Sequence, residues 1–84
     1  MNEFESMSTP DGNAVIITQY NCRWCDKVKE LLREHDYHLI IINWKMYPAA
    51  KEYLNEHKLT TVPQVFIKGQ HIGGYEATEE YLNK

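Results

Sequence analysis

Cys22 and Cys25 are the only cysteines in a chain of 84 residues, and they stand in the run Asn21-Cys22-Arg23-Trp24-Cys25. Placed between an apolar strand-like run and a helix-like run, a Cys-x-x-Cys pair reads as a dithiol that opens and closes as a disulfide. A disulfide over so short a loop removes little freedom from the unfolded chain, so a chemical role outweighs a structural one. Cys22 falls just ahead of the first helical turn. Unpaired N–H groups and the positive end of the helix dipole there stabilise a thiolate. Arg23 adds positive charge in the same direction. Cys22 is therefore the expected nucleophile, with a pKa below the free value of about 8.5. Cys25, inside the helix and more buried, is the expected resolving thiol, which attacks a mixed disulfide formed on Cys22. The alternatives are a structural zinc site and two cysteines without function. Zinc needs further ligands from His35, His38, His57 and His71, none of which lies in a His-x-x-x-His arrangement.

Two other segments carry chemistry of binding. Thr61-Val62-Pro63 places a proline directly before a strand-like run, a place to suspect a cis peptide bond. A cis Pro63 leaves the backbone of Val62 as an unpaired edge beside the cysteines, where an extended peptide-like substrate adds as a strand. Gly73-Gly74-Tyr75-Glu76 puts two glycines after a strand, which lets the backbone approach a ligand or adopt positive φ. The helix start that follows, from Glu76 to Thr78, offers N–H groups to a carboxylate. Each segment alone is a weak signal, an ordinary trans proline or a plain strand-to-helix turn.

The elements that must position these residues follow from hydrophobic spacing. Met1 to about Asn13 is polar and ends in a turn signal, Thr9-Pro10-Asp11-Gly12-Asn13, so residues 1–13 are expected to form a flexible leader, with a short helix from Asn2 to Met7 as the other option. Residues 14–84 are expected to form the single domain. Ala14 to Thr18 is β-branched and reads as a buried strand. The spacing of Val28, Leu31, Leu32 and His35 predicts a helix from Trp24 to about His35, with Asn21 as N-cap. Leu39 to Ile42 reads as a second buried strand. Pro48 opens a second helix that runs to about Lys58 on Ala50, Tyr53, Leu54 and His57. Gln64 to Ile67, the turn Lys68-Gly69-Gln70 and His71 to Gly73 make a β-hairpin. Glu76 to Asn83 is a last helix, with Tyr81 and Leu82 toward the core. The predicted fold class is α/β: a four-stranded mixed sheet, built from a βαβ unit and a hairpin, flanked by three helices.

Composition narrows the function. A net charge of -3 with mixed signs argues against a nucleic-acid binder. No apolar run approaches the roughly 18 residues of a membrane span, and the acidic start Met1-Asn2-Glu3-Phe4-Glu5 is unlike a signal segment. A cytoplasmic location, where thiols are kept reduced, is the expectation.

Taken together and in order, Cys22-Arg23-Trp24-Cys25, Thr61-Val62-Pro63-Gln64-Val65-Phe66-Ile67 and Ile72-Gly73-Gly74-Tyr75-Glu76 resemble the glutaredoxins of the thioredoxin superfamily, in the compact form found in bacteria and phages. The resemblance runs from about Val15 to the C-terminus. It implies a thioredoxin-like fold and a monomeric, glutathione-dependent thiol–disulfide oxidoreductase, with glutathione as co-substrate and no metal. Partners would be disulfide-containing proteins, ribonucleotide reductase being a common family target. In this reading Cys22 is the nucleophile and Cys25 the resolving thiol. Val62 pairs its backbone with the cysteinyl part of glutathione beside Thr61 and a cis Pro63. Gly74, Tyr75 and Glu76 hold the γ-glutamyl end, and Trp24 flanks the tripeptide. Three departures stand out. Arg23 replaces the usual proline, which shifts the reduction potential. Gln19 stands where many members have Lys or Arg against the glycine carboxylate, with Arg23 or Lys45 as stand-ins. The acidic pair after the glycines reduces to Glu76 and Ala77. A redoxin served by thioredoxin reductase and a cluster-binding glutaredoxin are the alternatives.

Overall fold

The computed structural model describes all 84 residues, in the order α1 (Glu3–Met7), β1 (Asn13–Thr18), α2 (Arg23–Glu34), β2 (His38–Asn43), α3 (Pro48–Glu56), β3 (Gln64–Ile67), β4 (Gln70–Gly73), α4 (Tyr75–Leu82). The strands form one sheet in the order β2-β1-β3-β4. β1 and β2 are parallel, with Ile16 opposite Ile41, and are linked through α2. β1 runs antiparallel to β3, with Ile16 opposite Val65, and β3 runs antiparallel to β4. This is the expected α/β mixed sheet, with four helices rather than three.

Side chains of successive strand residues point to opposite faces, and β1 supplies both cores. Val15 and Ile17 join Phe66 of β3, Ile42 of β2 and Ala50, Tyr53 and Leu54 of α3. Ala14 and Ile16 join Val65 and Ile67 of β3 with Val28 and Leu32 of α2. Tyr75, Tyr81 and Leu82 of α4 pack against that second core. No helix is long and apolar enough to cross a membrane.

Residues 1–13 are not a flexible leader. Asn2 caps α1 by accepting from the Glu5 N–H at 2.8 Å, while the Glu5 carboxylate accepts from the Asn2 N–H at 2.9 Å, a reciprocal capping box. Phe4 is 2% exposed and lies against Tyr53 and Phe66, each with ring centroids 5.7 Å away. Buried Ser8 accepts from the Gly69 N–H at 2.9 Å, which ties the segment to the β3–β4 turn.

Other boundaries moved for identifiable reasons. β2 was expected to be buried. It is an edge strand, and Ile41 remains 46% exposed on it. The hairpin turn is two residues long, not three. Lys68 (φ 52°) and Gly69 (φ 76°) both take positive φ, the I′ geometry that matches strand twist. Asn21 does not cap α2, because it occupies positive φ (56°) and the next residue takes the cap.

Phe4→Ala should leave a cavity between α1, α3 and β3. Urea unfolding is expected to show a loss of about 3–5 kcal/mol. A loss under about 1 kcal/mol would mean that α1 is not part of the cooperative unit.

Candidate functional site

The parallel β1–β2 pair needs a crossover, and α2 begins that crossover at the end of β1. Cys22 is the N-cap residue of α2, in extended conformation (φ -116°, ψ 105°). Its sulfur accepts from the Cys25 N–H at 3.2 Å, and its carbonyl accepts from the Asp26 N–H at 3.1 Å. The predicted nucleophile thus takes the capping position itself. Cys22 and Cys25 are joined as a disulfide, with Cα atoms 5.2 Å apart. Cys25 is fully buried and Cys22 partly exposed. An incoming thiolate therefore reaches only the Cys22 side of the bond.

Val62-Pro63 is a cis peptide bond. The Val62 carbonyl oxygen lies 3.8 Å from Cys22 Sγ. A disulfide sulfur has no proton to donate, so in the oxidised state this is a contact and not a hydrogen bond. Residues 60–63 take part in no backbone–backbone hydrogen bond, which leaves an open strand edge beside the sulfur.

From Val62 an open groove of about 610 Å³ runs between the end of β1 and α3, within the range of small-molecule sites. Gln19, Trp44, Leu54, Asn55, Thr60 and Thr61 help line it, and Lys51 is the one charged residue there. The Gln19 side-chain oxygen accepts from the Trp44 indole N–H at 3.0 Å, which holds that side chain in place. Lys51 escaped the sequence reading because a lysine on the polar face of a helix looks merely solvated. Only the packing of α3 against the Thr61-Val62 loop brings it to the groove. The expected stand-ins lie elsewhere. Lys45 sits over the Trp44 ring, 5.6 Å from its centroid, and Arg23 is exposed.

On the other side of the disulfide, Trp24 is half-exposed and packs on Tyr75, with ring centroids 5.3 Å apart. Lys27 stands over the Trp24 ring at 4.8 Å. Gly74 is the N-cap of α4, one residue earlier than predicted, and its carbonyl accepts from Thr78 Oγ1 at 2.8 Å. No protein acceptor meets the N–H groups of Tyr75, Glu76 or Ala77. Positive φ is needed at Gly73 (127°) and not at Gly74. No three His, Cys, Asp or Glu side chains converge as a metal site would require.

A disulfide-bonded Cys-x-x-Cys pair at the first turn of α2, on a sheet of this order, defines a protein of the thioredoxin-like fold. The sequence model of the family Glutaredoxin matches residues 14–72. Among curated relatives, glutaredoxin-C4 of Arabidopsis thaliana is 30% identical over 83 residues, covering 90% of this chain and 59% of the relative. Glutaredoxin 3 of Escherichia coli is 37% identical over 69 residues, covering 75% of this chain and 77% of the relative. The chain belongs to the glutaredoxin family. Solved structures share the fold. A buckwheat glutaredoxin–glutathione complex superposes with a TM-score of 0.74 at 24% identity, covering 94% of this chain and 74% of that one. The glutaredoxin-like NrdH-redoxin of Escherichia coli gives 0.72 at 19%, covering 86% of this chain and 95% of that one.

Two ionisable groups near the site depart clearly from their usual behaviour: desolvation, and secondarily the Glu79 charge, raise the Tyr75 phenol, and His71 shifts the other way. Desolvation of the ring face packed on Phe66, and secondarily the His57 charge, hold His71 below the ordinary imidazole pKa, with Glu5 opposing, although the residue as a whole is solvent-exposed and solvent screens the effect. The unfolded chain then binds the extra proton first, so stability rises with pH. The contribution is complete above the ordinary value of about 6.5 and is lost as pH falls through the lowered folded value. Urea midpoints taken from pH 7.5 down to 5 are expected to decline more steeply for the wild type than for His71→Phe. Equal slopes would contradict this assignment.

Proposed function

We propose that the protein is a glutathione-dependent thiol–disulfide oxidoreductase that reduces protein disulfides and glutathione mixed disulfides. The observation that carries the reading is the placing of an accessible Cys22 sulfur 3.8 Å from the Val62 carbonyl, at the head of a groove whose one charge is Lys51. Glutathione is an extended tripeptide with a carboxylate at each end and an ammonium beside one of them. Val62 supplies the backbone edge for its cysteinyl unit. Lys51 supplies the positive charge for the glycine carboxylate that Gln19 does not. The unpaired N–H groups of Tyr75 and Glu76, at the positive end of α4, suit the γ-glutamyl carboxylate. The exposed Glu76 carboxylate faces the ammonium, and the Trp24–Tyr75 pair walls that end.

The chemistry needs two successive exchanges. The Cys22 thiolate attacks a glutathionylated thiol, forming a bond between Cys22 and glutathione sulfur and releasing the substrate thiolate. A second glutathione thiolate then attacks the glutathione sulfur, releasing oxidised glutathione and restoring Cys22. With a protein disulfide, the mixed disulfide on Cys22 is resolved by Cys25, which closes the bond seen here and frees the reduced protein. Two glutathiones then reopen it. Cys25, buried and one helical turn away, is placed for the intramolecular step alone. Arg23 and Trp24 tune this exchange, and disulfide-bearing proteins, ribonucleotide reductase among them, are the partners. A monomeric, cytoplasmic enzyme fits the reading.

One observation favours a second reading, a glutaredoxin-like redoxin served by thioredoxin reductase. Gln19 is uncharged, and its oxygen is already engaged by Trp44. Supplying glutathione and thioredoxin reductase separately as electron donors decides between the two. Turnover with the reductase alone would reject the glutathione reading.

In the glutathione-coupled assay Cys22→Ser is expected to abolish turnover of a small mixed disulfide, whereas Cys25→Ser keeps it. Full activity in Cys22→Ser would reverse the roles. Lys51→Ala is expected to raise the KM for glutathione about three- to fivefold, the scale of an exposed ion pair. The reactivity of reduced Cys22 should titrate below about 8.5.

A further inference from the structure

Gln64 directly follows the cis proline and opens β3, yet the residue is only 5% exposed. A buried amide left unpaired costs about 1–3 kcal/mol, so its two hydrogen-bond directions are informative. Gln64 has polar contacts with the Thr61 carbonyl oxygen at 2.9 Å and with His71 Nε2 at 2.7 Å. A carbonyl oxygen only accepts, so the amide NH2 must face Thr61. The amide oxygen then faces His71 and also only accepts, so His71 Nε2 must carry a proton. One orientation of Gln64 and one protonated ring nitrogen satisfy both contacts.

His71 is exposed on one side and packed on the other. The β3–β4 register sets it opposite Phe66, its ring lies 5.2 Å from that of Phe66, and the Tyr53 ring meets it edge-on at 6.0 Å. The far end of the chain of contacts is less constrained. With no backbone–backbone hydrogen bond at residues 60–63, the Gln64 amide is the one side-chain hydrogen bond to the Thr61-Val62 backbone apart from the Cys22 contact. The Thr61 carbonyl and the Val62 N–H belong to one planar trans peptide unit and point in opposite directions. Drawing the Thr61 oxygen toward the Gln64 amide therefore turns the Val62 N–H away from that amide. That N–H has no protein acceptor.

We propose that His71, acting through Gln64, is a positioning residue that aims the Val62 N–H at the substrate backbone. The inference rests on the reading that a glutathionyl substrate pairs with Val62 beside Cys22. It assigns substrate recognition to two residues that the geometry of the sulfur chemistry does not require. The Cys22–Cys25 exchange itself is untouched by them, so the effect falls on binding and leaves the chemical step alone.

Steady-state turnover of a glutathionylated peptide, recycled by glutathione and glutathione reductase, tests this on the full chain. Gln64→Glu keeps size and the acceptor for His71 but loses the NH2 that holds Thr61. His71→Phe keeps the ring and loses the N–H. Both are expected to raise the peptide KM about fivefold or more, the effect of one net hydrogen bond, with kcat nearly unchanged. His71→Gln, which returns an N–H near the position of Nε2, is expected to recover most of the loss. Nitrogen-15 spectra should show His71 Nε2 protonated at neutral pH. The proposal is overturned if wild type and both variants share the same KM, if His71→Gln is no better than His71→Phe, or if Nε2 is bare. Should Gln64→Glu fail to fold, the two His71 variants decide alone. A wild type that does not use glutathione rejects the reading of the site, and the positioning role falls with it. An active wild type with unaltered variants rejects the positioning role only.

Discussion

Strand β1 has water on neither face, and most of the molecule is arranged around that fact. Val15 and Ile17 point one way, Ala14 and Ile16 the other, and all four are fully buried. Such a strand must be covered by helices on both sides. Its parallel neighbour β2 further demands a crossover, because two parallel strands cannot be joined by a tight turn. The crossover helix starts beyond the carboxyl end of β1, which is where ligand sites in open α/β sheets collect. The disulfide lies at that point because the core requires a helix to begin there.

The same constraint separates the two sulfurs. Cys22 caps the helix and lies outside its first turn, while Cys25 enters the core beside Val28. Three residues along the first turn separate a partly open sulfur from a closed one, so the difference in their exposure is set by where the helix starts. The Thr61-Val62 loop then meets the open sulfur from β3, the strand on the other side of β1.

Much of this was legible in the amino-acid order. β1 and β3 are short β-branched runs, α2 carries a clear apolar stripe, and Thr61-Val62-Pro63 marked the place where the cis bond is found, a weak signal until joined to the cysteine pair and the hairpin. The βαβ unit and hairpin, and with them the fold, followed. What was missed depended on contacts distant in sequence. α1 has two apolar residues, buried Phe4 and partly buried Met7, in a polar stretch, and five residues make no visible period. The Asn2-x-x-Glu5 capping pattern was the available signal, and burial of Phe4 supplies the rest. The exposure of β2 depends on strand order, which periodicity does not encode. Lys51, Gln64 and His71 each look unremarkable along the chain. They acquire meaning only from the seating of α3 and the register of β3 with β4.

Cys22 and Cys25 are separated by a single turn of one helix, and the bond between them closes a loop of four residues. Opening it frees no distant segment and separates no two elements of the fold. The difference between the oxidised and reduced states is accordingly expected at the sulfurs and their immediate neighbours. A partner that must tell them apart cannot do so by silhouette. It has to interrogate the sulfur itself, through its charge, its nucleophilicity or the covalent bond it makes, and reaction becomes the act of recognition.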